Sequence, residues 1–290
     1  MIYQIKNGQM EVRIKSKGAE LTSIHSSTEN LEYLWQGDPV WWSGQSTVLF
    51  PIIGGLPGNG YQYEGKTWNL DPHGFARKSE FDVVEQSEEK LVLHMKESKE
   101  SLEQYPFMFD LLVHHELKNN VLVQGMSVMN RGDQVMPFSL GAHPGFNCPL
   151  LPGELMDDYW IEFEQKETLE RRLKAAGMLT GETVPFLNNA NIKPLSHSIF
   201  KNDAVILKNF HSNWLEIHNK KNKHVIRVEF PGFTDLGIWS AANDGPFVCI
   251  EPWFGVDSTH GDSQELMKKE GLIWLDPGKT FDCSYKMIFT

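Results

Sequence analysis

Three short segments combine proton-handling side chains with residues that would expose them. Leu70-Asp71-Pro72-His73-Gly74-Phe75-Ala76-Arg77 sets an imidazole and a guanidinium four positions apart around a glycine. It follows a stretch rich in Gly and Pro (Gly54, Gly55, Pro57, Gly58, Gly60) that is poor core material. In Gly141-Ala142-His143-Pro144-Gly145-Phe146, the proline forbids regular helix and biases His143 to an extended backbone, which presents its ring at the end of a strand. Val248-Cys249-Ile250-Glu251-Pro252-Trp253-Phe254-Gly255 places one carboxylate behind an apolar run and ahead of a proline and two aromatics. Partial desolvation there would raise the pKa of Glu251 and make it a better base near neutral pH. General acid and base chemistry is what such residues offer.

Each segment also has a plainer use. His73 and Arg77 would serve equally well to tie down carbonyls in a polar loop, and His143 to close a strand end by bonding a carbonyl. Glu251 is harder to set aside, because glutamate is rarely buried without a partner or a task. Other chemistries find little support. There is no GxSxG, no GxxxxGK[ST] and no GxGxxG after a strand, so nucleophilic, phosphate-loop and dinucleotide chemistry are not expected. His114 and His115 would point to opposite faces of a strand, and His211, His218 and His224 lack tight ligand spacing. Neither a metal nor a cofactor is therefore expected. The aromatic supply is large (Trp35, Trp41, Trp42, Trp68, Trp214, Trp239 and Trp253, with Phe50, Phe75, Phe146 and Phe254), and most of it should fill the core. Phe75, Phe146 and Trp253 flank the polar motifs and are the candidates for stacking on a sugar ring.

The elements that must position these groups read as strands. Alternation of apolar and polar residues predicts strands over Met10–Ile14, Phe81–Val84, Lys90–Met95, Leu111–Leu117, Val121–Asn130, Tyr159–Phe163, Trp214–His218, Val225–Phe230 and Tyr285–Phe289. Lys118-Asn119-Asn120, Asn219 to Asn222 and Asp276-Pro277-Gly278-Lys279 carry turn chemistry between them. Helical signals are confined to a turn or two at Ser98–Gln104 and Asp262–Lys269. No linker, composition shift or repeat divides residues 1–290, so one domain is expected. An all-β chain of this length needs a large antiparallel β-sandwich or a barrel to keep an apolar face dry, and a sandwich with a concave ligand-binding face is the simpler solution.

A formal charge of −11 argues against a nucleic-acid partner and suits a neutral small ligand. Three widely spaced cysteines offer no disulfide framework, which points to a reducing, cytoplasmic setting. The N-terminus has no apolar signal-like region and no run of eighteen apolar residues occurs, so secretion and membrane spanning are not expected. Self-association into a homodimer is left open.

Taken together, the motifs resemble the aldose 1-epimerase (galactose mutarotase-like) superfamily, especially its lactose-operon-associated and hexose-phosphate mutarotase-like branch. Gly18-Ala19-Glu20-Leu21-Thr22-Ser23-Ile24, Leu49-Phe50-Pro51-Ile52-Ile53-Gly54, His73-Gly74-Phe75-Ala76-Arg77, His143-Pro144-Gly145-Phe146 and Glu251-Pro252-Trp253 occur in the family's order, almost end to end. The resemblance implies a galactose mutarotase-like supersandwich with few short helices. It further implies His143 as general acid, Glu251 as general base, His73 as a substrate-orienting partner and Asp203 as a residue binding sugar hydroxyls. The family's early sugar-binding arginine is missing from Phe50-Pro51-Ile52-Ile53-Gly54; Arg77 stands as its replacement, and Lys78 as the nearest second cation for a sugar phosphate.

The activity implied is interconversion of the α and β anomers of an aldohexose or hexose phosphate. Glu251 would take the proton of the C1 hydroxyl while protonated His143 serves the ring oxygen, with the roles reversed on reclosure. A carbohydrate-binding or sugar-sensing protein on the same scaffold is the main alternative, and it would have no need of a facing acid and base. Glycoside hydrolysis would require a pair of carboxyl groups such as Asp203 and Glu251.

Overall fold

The computed structural model describes residues 1–290 and is built almost wholly of antiparallel strands. Fourteen strands form one very large sheet. A separate four-stranded sheet is made by Ile2–Lys6, Met10–Lys15, Glu20–Ser26 and Leu31–Glu32, and two small two-stranded ribbons complete the set. The fold is the large antiparallel β-sandwich with few short helices expected from the sequence. A continuous cluster of 64 buried apolar residues runs between its layers, from Ile5 to Phe289.

The outer strands follow period-two alternation closely. Phe109–Lys118 and Val121–Asn130 bury every second side chain, and the turn at Asn119 is left-handed, as asparagine tolerates. The Ser98–Gln104 signal becomes a single helical turn, Lys99–Leu102, with Ser98 and Ser101 bonded reciprocally as a capping box. Asp262–Lys269 shrinks to a short 3₁₀ segment, Leu266–Lys268.

The strands that carry the polar motifs look different. Ser46–Leu49, Leu140–Asn147, Asp235–Trp239 and Phe247–Phe254 lie side by side in the large sheet and are covered on both faces, so nearly every residue in them is buried. A second departure is a long hairpin, Tyr159–Ala175 with Met178–Pro194, of which only the first few residues are legible as strand. Its charged middle, Lys166-Glu167-Thr168-Leu169-Glu170-Arg171-Arg172-Leu173-Lys174, lacks alternation because one side packs and the other meets solvent irregularly through several bulges.

Candidate functional site

Register alone brings the two central side chains together. The Leu140–Asn147 and Phe247–Phe254 strands pair Gly141 with Trp253 and Gly145 with Cys249, which sets His143 opposite Glu251 at the midpoint. The ladder is interrupted there, where Pro144 has no N–H to give. His143 Nε2 lies 3.1 Å from Glu251 Oε2, although the approach is too oblique for a good hydrogen bond. On its other side Glu251 is paired with Gly237, where a Cβ would come within 2.7 Å of the Trp253 ring. That glycine leaves room for both side chains.

His143 and Glu251 open onto a cavity of about 220 Å³ whose wall also includes His73, Arg77, Asp203 and Trp253. Six residues singled out from the sequence, His73, Arg77, His143, Asp203, Glu251 and Trp253, thus share one hollow. Phe146 does not: it is fully buried in the main core and packs toward Phe289. The reason is strand parity: His143 and Phe146 are three residues apart, so their side chains leave opposite faces. Phe75 is likewise a core residue, stacked against Phe109. The aromatic walls are instead Trp42, whose indole stacks on His143, and Trp239, which meets the same ring edge-on at 5.5 Å. A larger open cleft of about 800 Å³ near Tyr33 and His224 lies elsewhere and gathers none of these groups.

His73 sits in a left-handed conformation (φ 63°), and its Nδ1 accepts the Gly54 N–H at 3.2 Å. That bond assigns the ring proton to Nε2, the remaining donor. Burial, reinforced by Arg77, Lys174 and Lys269, lowers the His73 pKa to about 3, so the ring is neutral at physiological pH. Arg77 donates to the Pro72 carbonyl at 2.8 Å and keeps a buried Nε free of protein partners. Lys78 turns away to the surface, where it pairs with Asp71 at 2.5 Å.

The second cation comes from a place the sequence did not reveal. Lys174, near the tip of the long hairpin, is only 11% exposed and lies 3.2 Å from Asp257 and 3.6 Å from Asp203. Asp257 is fully buried, and its Oδ1 also accepts the Gly55 N–H at 2.9 Å. Gly54 (φ 67°) makes that approach possible, since a Cβ there would sit 2.2 Å from the Asp257 carboxyl. Asp203 adopts φ 70° at the cavity rim, where its backbone carbonyl and those of its neighbours are gripped by Arg171.

Burial acts in opposite senses on the central pair. It raises the Glu251 pKa well above the usual carboxylate range, an effect that Lys174 opposes and Asp203 and Asp257 reinforce. It lowers that of His143, with His73, Arg77 and Lys174 adding to the effect. Each group resists its own charge, so burial favours keeping the proton the pair shares on the Glu251 carboxyl, a bias that Lys174 opposes. Buried polar atoms of Glu251, His143, Arg77 and Trp253 around this hollow have no protein partner, as befits a surface completed by a polar ligand. His143, Cys249 and Glu251 also bring a nitrogen, a sulfur and an oxygen within 4.8 Å of one another. Burial raises the Cys249 pKa and favours the thiol, and its sulfur lies where a side chain on Gly145 would go, which makes it a packing group.

The comparisons with known proteins agree with the fold and with the family resemblance. Residues 1–281 match the family described as Aldose 1-epimerase, and the chain belongs to that family. It is 34% identical over 294 aligned positions to the chromosomal protein LacX of Lactococcus lactis subsp. lactis, covering 98% of each chain. Its structure is similar to that of a galactose mutarotase related enzyme from Lactobacillus acidophilus, with a TM-score of 0.96, 33% identity and coverage of 100% of this chain and 97% of the other. A galactose mutarotase-like protein from Lactobacillus casei ATCC 334 is similar over 100% of both chains, at a TM-score of 0.94 and 29% identity.

Proposed function

We propose that the protein is a mutarotase that interconverts the α and β anomers of a neutral aldohexose in the cytoplasm. The observation that carries this reading is the facing of His143 Nε2 and Glu251 Oε2, 3.1 Å apart, at the wall of a cavity of about 220 Å³. That volume suits one monosaccharide ring, being below the range of about 300 Å³ and upward in which drug-sized ligands are held.

Opening a cyclic hemiacetal requires one proton to leave the C1 hydroxyl and another to reach the ring oxygen. With the shared proton on the imidazole, Glu251 as carboxylate takes the first and His143 as imidazolium gives the second. Rotation about the C1–C2 bond and reversal of both transfers closes the other anomer. No electron or group is exchanged with the protein. His73, with Nε2–H free, and Arg77 hold neighbouring oxygens, while Asp203 accepts from a hydroxyl and Trp42, Trp239 and Trp253 line the ring's apolar faces. Arg77 and Lys174 at the cavity wall are matched by Asp203 at its rim and Asp257 beneath Lys174, so no surplus positive charge awaits a phosphate. A free sugar is therefore favoured over its 6-phosphate.

Polarimetry of freshly dissolved α-glucose and α-galactose, with an NMR exchange survey of aldoses and their 6-phosphates, tests the reading. Glu251→Gln and His143→Ala should each lower the enzymatic rate by roughly 10²-fold or more, whereas His114→Ala, on a distant strand, should not. Saturable sugar binding by the wild-type protein without faster anomer exchange would favour a sugar sensor instead. Equal losses in His143→Ala and His114→Ala would remove His143 from its assigned role.

A further inference from the structure

The long hairpin ends against the active strands rather than in solvent. The Leu179 N–H donates to the Ser258 carbonyl at 2.9 Å, the His260 N–H to the Leu179 carbonyl at 2.8 Å, and His260 Nε2 lies 2.9 Å from the Ala175 carbonyl. These bonds pin the hairpin tip to the segment that follows the Glu251 strand. Lys174 is thereby delivered to the cavity wall, with its stem covered and its ammonium held by Asp257 and Asp203.

We propose that Lys174 is a positioning residue of this site, supplying the fixed positive charge that keeps the Glu251 carboxylate ready to act as base. Three features of the geometry support this. Glu251 is 1% exposed and its Oε2 has no hydrogen-bonded protein partner, so its charge must be compensated from across the cavity. Lys174 shares that cavity wall, and two carboxylates hold it in place. Asp257 is itself fixed by the Gly55 N–H and by the close approach at Gly54, so the ammonium is held by a rigid anchor.

The other charged and titratable groups facing this cluster do not substitute for Lys174. Arg77 is engaged with the Pro72 carbonyl, and Lys269 is tied to the Val256 carbonyl. His73 is neutral, while Asp203 and Asp257 disfavour ionisation of Glu251. Lys174 opposes the burial that holds the proton on the Glu251 carboxyl. Removing it should leave the proton on Glu251 over a wider pH range.

The inference builds on the mutarotase reading, but its first test does not need activity. In protein labelled with ¹³C at glutamate side-chain carboxyls, the Glu251 signal, assigned by its loss in Glu251→Gln, is followed against pH in wild type, Lys174→Met and Lys174→Arg. The titration midpoint should move up in Lys174→Met and return toward wild type in Lys174→Arg. A Lys174→Met midpoint that coincides with wild type overturns the proposal whether or not the protein is an enzyme. In the kinetic arm, kcat/KM of Lys174→Met should fall roughly tenfold on the acid side of neutrality and recover as pH rises, with Lys174→Arg restoring much of the loss. A uniform loss at every pH, with an unmoved limb, also refutes it. Should Lys174→Met fail to fold because Asp257 is left buried and unpaired, the Lys174→Met, Asp257→Asn double variant is compared with Asp257→Asn alone, so that only the Lys174 charge differs, and coincident Glu251 midpoints in those two variants overturn the proposal.

Discussion

The Trp42 indole lies flat against the His143 imidazole, with ring centroids 4.7 Å apart and planes inclined by 29°. Gly44 and Gly145 make room for it, since a Cβ on either would come within 3.0 Å of the indole. The stacking fixes the ring whose Nε2 faces Glu251, and a misplacement of that ring by about 1 Å would spoil the proton transfer proposed for it. Trp42→Ala should therefore lower kcat for anomer exchange by roughly tenfold or more, while Trp42→Phe, which keeps a flat face, retains most of it. Polarimetric rates at saturating sugar decide this. Equal rates in the alanine variant and wild type would show that His143 is held by other means.

Gly54 and Gly65 separate two costs that usually travel together. Both are left-handed, at φ 67° and 73°, but a side chain at Gly54 meets the Asp257 carboxyl at 2.2 Å, whereas nothing lies within 4 Å of one at Gly65. Gly65→Ala should lose about 1 kcal/mol of stability from backbone strain alone. Gly54→Ala adds overpacking against a buried ion pair, for a total of about 2–4 kcal/mol, and should also depress activity by shifting Asp257 and Lys174. Urea denaturation of the two variants measures the difference. If they lose the same amount, the packing beneath the cavity is softer than the distances imply.

His115 should make the protein acid-sensitive. Its ring is fully buried in the core with neither nitrogen bonded, and burial lowers its pKa from 6.5 to about 3. The unfolded chain therefore takes up this proton first as pH falls. The neutral ring's contribution is fully present above about pH 6.5 and is lost progressively down to about pH 3. His115→Leu should show a shallower loss of stability over that interval, with His73 and His143 still contributing theirs. Denaturation midpoints at several pH values give the two slopes, and identical slopes would mean that the His115 proton is not excluded.

Legibility from the sequence followed solvent exposure. Val121–Asn130 was readable to the residue because one of its faces packs and the other is partly wet. Ser46–Leu49 and Phe247–Phe254 are covered on both faces, so they present apolar runs without alternation, and it was the polar interruptions at His143 and Glu251 that gave their neighbourhood away. Phe146 was misplaced because adjacency in the chain was taken for adjacency in space, although three steps along a strand reverse the side chain. Lys174 and Asp257 were missed for a different reason. Neither stands in a motif, and their encounter depends on where a seventeen-residue strand ends.

That strand and its return carry an implication for how the cavity can change. His143 and Glu251 are rooted near one end of the great sheet on strands paired along both sides, whereas Lys174 arrives on an arm whose return strand, Met178–Pro194, pairs within the sheet only with its own outgoing half. Swapping or shortening the arm would take the Lys174 charge away with it, while the backbone that carries His143 and Glu251 stays where the sheet holds it. The arm is thus a peninsula whose remodelling retunes the cavity without redrawing the sheet beneath.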